Sequence, residues 1–410
     1  MQLSINKWLR ISIANLLLVA LLGILMRYKI AFSLPELNQK HLLHAHSHFA
    51  FTGWVSQTLY VLMIYFIRNQ IQDRYSRKYN FILIANLIVS YGMLLSFIYQ
   101  GYGAISITFA TASILINYLF CAWFFADLKT MMHHPSKKWF LASLLFSILS
   151  SLGTFALAYM MVAKLANPNN YLGALYFFLH FQYNGWFLFA AIGLFISWLQ
   201  QKKPAITINP IVFHLFFWSC IPAYFLSILW ANLPVWLYTL AAAGAIAQFT
   251  GWIIIIRKLY SKRKMMIHSM NRIGGIVLLL SALALSIKLL LQLGSTIPFV
   301  SKLAFGFRPI VIAYLHLVLL AVFTLFLVSY SMINGFLKKN KTTTIGIVVL
   351  TIGVFLNEFV LLIQGVAAFS YTPVLFVNEI LLAVALVIFI GILILFMSQM
   401  KKNGSLFTQP

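Results

Sequence analysis

Ten histidines are spread unevenly along the chain, and four fall in one octapeptide, His41-Leu-Leu-His44-Ala-His46-Ser-His48, which runs straight into an apolar segment. Three more, His180, His214 and His316, stand inside apolar segments of their own. Neutral imidazole is a ligand for iron, copper and zinc, and near neutral pH it also carries protons. Two carboxyls share such surroundings, in the similar settings Asn357-Glu358 and Asn378-Glu379. Ionisable groups are expensive inside a bilayer, so these residues are the first candidates for metal binding or proton transfer. Glu358 and Glu379 are expected to carry protons or to partner a metal site.

The elements that must position them follow from composition. Of 410 residues, 62% are hydrophobic and 8% charged. Runs long enough to cross a hydrocarbon core of about 30 Å recur at roughly twenty residues each. They are 9–27, 43–67, 80–99, 104–126, 139–163, 171–199, 208–230, 234–256, 272–293, 309–335, 343–369 and 374–399. Within lipid every backbone polar group must be satisfied internally, so these runs are helices. The expectation is an all-α polytopic membrane bundle of about twelve helices, with residues 1–410 forming one transmembrane domain.

Net charge is +24. Its distribution argues for lipid and against nucleic acid: with the N-terminus inside, 22 of the 29 Lys and Arg fall in cytoplasmic segments, and Lys288 is one of the seven outside. The excess places both termini in the cytoplasm of a multi-pass protein of the cell (inner) membrane, its basic loops against anionic lipid. Arg27, Tyr28 and Lys29 follow the first run in place of a small-residue cleavage site, so that run reads as a helix. Cys121 and Cys220 lie in apolar runs and read as packing residues. Asp73, Asp127 and Glu36 read as solvated surface acids, and His133, His134 and His268 as surface histidines.

A rise of 1.5 Å per residue gives each group a depth. His44 to His48 occupy the first two turns of the second helix, His180 lies about 14 Å down the sixth and His316 about 10 Å down the tenth. Glu379 and Glu358 lie about 8 and 16 Å below the same side. One layer in the outer half of the membrane collects all of them except His214. At 100° per residue, His41, His44 and His48 share a face of the second helix and His46 points roughly opposite. His44 and His48, at i and i+4, can share a metal. His46 is expected to hydrogen-bond a neighbouring helix or a headgroup.

The segment His48-Phe-Ala-Phe-Thr-Gly-Trp54 recurs 132 residues later as His180-Phe-Gln-Tyr-Asn-Gly-Trp186, and a further 136 residues lead to His316. Both steps are four helices long, so the chain reads as three four-helix units in pseudo-threefold order, each presenting a histidine. In this it resembles the catalytic subunit of the heme-copper oxidase superfamily, which includes nitric oxide reductases. The His44-Ala45-His46 motif at the start of the second helix is also similar to the NnrS family of haem- and copper-containing membrane proteins.

The resemblance implies a b-type haem, since the chain holds no C-x-x-C-H, together with copper or another transition metal. It implies His48 or His44 as one axial haem ligand, His316 as the other, and His180 at a second metal or gas site. Arg308, Lys40 and Lys302 are candidate partners for the haem propionates. An electron-donor protein or a quinol would be the partner, and an oxygen- or nitric-oxide-reducing oxidoreductase the activity. The seventh helix carries His214 alone where that superfamily has adjacent histidines, and Tyr314 stands where its tenth helix has a second histidine. A different class of function also fits these residues: a transporter moving protons or a metal ion through intramembrane His and Glu. A zinc hydrolase has no H-E-x-x-H to support it.

Overall fold

The computed structural model describes residues 4–70, 76–131, 133–165, 167–301 and 307–400. Expectations touching Asp73, Arg74, Ala166, Lys302, Lys401 and Lys402 lie outside these residues. The described residues form helices and no strands, with eleven helices long and apolar enough to span a membrane and one bent pair, α7, that makes twelve if it counts as a span: α1 (Ile5–Ala31), α2 (Gln39–Gln70), α3 (Ser76–Gln100), α4 (Ala104–Thr130), α5 (Lys137–Val162), α6 (Pro168–Lys202), α7 (Ile211–Cys220 with Pro222–Ile228), α8 (Val235–Ser261), α9 (Arg272–Gly294), α10 (Arg308–Ile333), α11 (Lys341–Phe369) and α12 (Val377–Met400). α7 bends by 46° at its break, where Pro222 can donate no backbone hydrogen bond. The other spans present rows of exposed Leu, Ile, Val and Phe, such as Leu95, Leu279, Phe359 and Leu362, as lipid-facing helices must. The protein is therefore a multi-pass, all-α membrane bundle.

α2, α6 and α10 form its centre, and they share a backbone anomaly. Each changes from α- to π-helix just past its histidine: over Ala50–Ser56 after His48, Phe181–Phe187 after His180 and Leu317–Thr324 after His316. A π-turn inserts a residue and widens the helix, and such turns concentrate at functional sites. Neighbouring side chains take up carbonyls within these turns. Asn15 donates to Gly53, Asn86 to Thr52, Cys220 to Asn184 and Ser281 to Val322. The third copy, where the sequence keeps only the histidine, has the same π-turn as the other two.

Below the π-turns the three spans pack tightly. Nearly every residue of Gln57–Ile67, Leu188–Leu199 and Leu325–Ile333 is buried. Indoles tie the spans together: Trp54 Nε1 donates to Thr324 Oγ1 at 2.9 Å (α2 to α10) and Trp186 Nε1 to Ser56 Oγ at 3.4 Å (α6 to α2). The position in α10 equivalent to these tryptophans is Val322, and its counterpart acceptor is Leu188. No hydrogen bond forms there, and the two residues line a small cavity together with Lys288.

Two surface expectations are corrected. Asp127 is not a solvated loop acid; it lies in the last turn of α4 and is 4% exposed. Lys78 Nζ at 2.8 Å and the Tyr79 hydroxyl at 2.5 Å reach its two oxygens from α3, which is what makes its burial affordable. Lys288 is not an outer-loop cation either. It lies within α9 at 2% exposure and donates to Gln292 Oε1 at 2.6 Å, while Gln292 donates to Gln248 of α8 at 3.1 Å.

Candidate functional site

Above the π-turns the packing loosens. Arg308–His316 of α10 contains no buried residue, and Gly23–Arg27 of α1 is half-buried along its length. At this end of the bundle α1 packs against α2.

His46 sits on this side of α2. Its ring packs over Gly23 of α1, and its Nδ1–H donates to the Val19 carbonyl at 3.0 Å. Arg27 follows on the same face of α1, one turn beyond Gly23. On α10 the Nδ1–H of His316 donates to its own Ile312 carbonyl at 2.9 Å. His46 and His316 lie within range of each other's charge, and the Arg27 guanidinium lies within range of both. By helical rise they stand about 10 and 12 Å below the starts of their helices. With Nδ1 held by a carbonyl, each imidazole is fixed in the tautomer whose Nε2 lone pair is available, the usual orientation of a metal-ligating histidine. Neither Nε2, nor the Arg27 guanidinium, has a hydrogen-bond partner among the described residues.

His48 is directed elsewhere. Its ring stacks on Phe97 of α3, with centroids 4.4 Å apart, and its Nε2 meets the Tyr102 hydroxyl at 3.1 Å. His44 packs edge-on against the same Tyr102 ring, and His41 packs on Gly101. The expected division of faces on α2 is correct: His41, His44 and His48 lie together, and His46 opposite bonds a neighbouring helix. His44 and His48 pack on Phe97 and Tyr102, and the α2 histidine within charge range of His316 is His46.

His180 is buried, and both its nitrogens are engaged. Nε2–H donates to the Cys220 carbonyl at 2.8 Å, and Nδ1 accepts from Asn184 Nδ2 at 3.1 Å. The break in α7 exposes that carbonyl, and His180 satisfies it. The side chain ties α6 to α7 and has no lone pair left for a second metal. Among the described residues no three His, Cys, Asp or Glu side chains stand together as a metal site. Arg308 is exposed in the first turn of α10, and Lys40 is exposed ahead of the histidines on α2. Glu379 is exposed in the first turn of α12, where a carboxylate complements the helix dipole. Glu358 is half-buried in mid-span and accepts from Asn357 Nδ2 at 3.1 Å. His214 is exposed on α7.

Sequence reasoning missed Arg27 and Lys288. A cation six residues inside the end of a 23-residue apolar helix was the available signal for Lys288.

No protein-family model matches the chain, and no curated protein matches it.

Proposed function

We propose that the chain binds a b-type haem at the end of the bundle where α1, α2 and α10 carry Arg27, His46 and His316, with the two histidines as iron ligands and Arg27 as the partner of a propionate, in a redox or gas-reactive role. One observation carries this reading: two imidazoles from different helices, each oriented by a backbone carbonyl, lie within charge range of a guanidinium that has no acidic partner among the described residues. A haem so held supplies one-electron chemistry at the iron, while the protein residues set its orientation and shield it from water. An electron donor, protein or quinol, is then required.

Absorption spectra of the purified protein, oxidised and dithionite-reduced, test the proposal. Narrow visible bands of a six-coordinate low-spin haem are expected on reduction; a protein with no Soret band and no bound iron ends it. The transporter reading then becomes the better one, supported by the broken α7 and the buried Lys288–Gln292–Gln248 chain.

Glu358 is the proton carrier in this reading, because the other acid expected to serve, Glu379, stands in an exposed first turn. Proton uptake on haem reduction, followed with an indicator dye, should fall in Glu358→Gln and persist in Glu379→Gln. Equal uptake in Glu358→Gln and the parent would remove Glu358 from the mechanism.

A further inference from the structure

The face of α2 that turns away from α1 and His46 carries a second constellation. α3 ends at Gln100, and Gly101 adopts φ +62°, a conformation that favours glycine. Its missing Cβ also leaves room for the His41 ring, which would stand 2.6 Å from one. The turn lays Tyr102 across α2, where its ring meets His44 edge-on with centroids 4.5 Å apart. Its hydroxyl is 3.1 Å from His48 Nε2. His44 and His48 are separated by one helical turn, the spacing at which two side chains stand over one another. His44 is half-buried, and neither of its ring nitrogens has a hydrogen-bond partner among the described residues. One side chain thus leaves its donor atoms unused beside another imidazole and a phenol.

We infer that His44, His48 and Tyr102 form a binding site for a divalent transition-metal ion, with Cu(II) the tightest. Two neutral imidazoles and a phenol oxygen are an N,N,O donor set, which suits tetragonal Cu(II), and Cu(II) heads the affinity order of the divalent first-row ions. On binding, the phenol proton is released to solvent, its oxygen turns from His48 Nε2 to the metal, and both imidazoles bind through nitrogen lone pairs. No electron is transferred. The site is separate from the proposed haem site, since His46 lies on the opposite side of the helix, and it stands whether or not haem is bound.

The test uses the full-length purified protein, stripped with a chelator and titrated with Cu(II) alone, then with Zn(II). One tightly held copper per chain is expected, with nitrogen splitting in the EPR spectrum from two imidazoles and a phenolate-to-copper absorption band. His44→Ala and His48→Ala should each weaken binding by about tenfold or more, a loss of the size that perturbed ligand shells produce. Tyr102→Phe keeps the ring packing and should abolish the charge-transfer band while the nitrogen splitting stays. His46→Ala should leave copper binding unchanged, which separates this site from the haem proposal. The inference is overturned if His44→Ala/His48→Ala binds copper as the parent does, or if the parent holds none. Where that double variant does not fold, an intact charge-transfer band in Tyr102→Phe overturns it as well.

Discussion

On the proposed ligation, His46→Ala and His316→Ala should each abolish a low-spin haem spectrum in the purified protein, and His48→Ala should leave that spectrum standing. A six-coordinate low-spin iron needs both imidazoles, so loss of either leaves a five-coordinate, high-spin haem or none. Retained haem should fall by about tenfold or more, at least as much as loss of an outer-shell partner costs a metal site. The variants should still fold. Each deletes one hydrogen bond to a backbone carbonyl, Val19 or Ile312, of net worth about 1 kcal/mol, at a half-buried position. His48→Ala loses a stacking contact with Phe97 and a hydrogen bond to Tyr102, both on the far side of α2. The informative failure is a reversal: a spectrum lost in His48→Ala and kept in His46→Ala would return the axial role to His48.

The second large effect concerns the frame. Gly391 of α12 lies so close to α11 that a Cβ there would come within 2.4 Å of the Leu350 backbone nitrogen, and Gly346 of α11 meets the Leu395 backbone at 2.6 Å. With no hydrophobic force between helices in lipid, such close backbone packing is what holds two spans together. Backbone cannot rotate aside as a side chain can, so Gly391→Val must push the helices apart. A loss of about 3 kcal/mol is expected, the upper part of the range for overpacked cores. Thermal unfolding in detergent measures it, with Gly294→Ala as the comparison, since nothing stands within 4 Å of a Cβ at Gly294. Equal melting of the two variants would show that α11 and α12 are not clamped at this point.

Much of the architecture was legible because hydropathy is a one-dimensional signal that lipid enforces. The twelve runs match the twelve spans to within a few residues at most ends. The angular spacing of His41, His44, His46 and His48 also predicted which of them share a face. It did not predict which face meets α1, because that depends on where α1 packs, and no local pattern encodes it. His180 looked like a ligand because its motif copies that of His48, but its bonding was decided by the break in α7. Asp127 and Lys288 were misplaced for one reason. A charge near the end of an apolar run reads as interfacial unless its partners are known, and those partners, Lys78 and Tyr79 in one case and Gln292 in the other, become neighbours only on folding. The π-turns had no sequence signal of their own: two contain a glycine, and the third, Leu317–Thr324, contains none.

The indole bonds between the central spans have a mechanical consequence. Two of three seams are pinned, α2 to α10 by Trp54 and α6 to α2 by Trp186, and the third is not. Where Val322 faces Leu188, α6 and α10 meet through Phe187 and Phe323 alone among the aromatic and hydrogen-bonding contacts at that level, beside a gap that Lys288 borders. Sliding α10 against α6 breaks no indole hydrogen bond, whereas the same shear at either other seam costs one. The compliance of the bundle is therefore directional: α10, which carries His316, is hinged on α2, which carries His46, and is unlatched from α6.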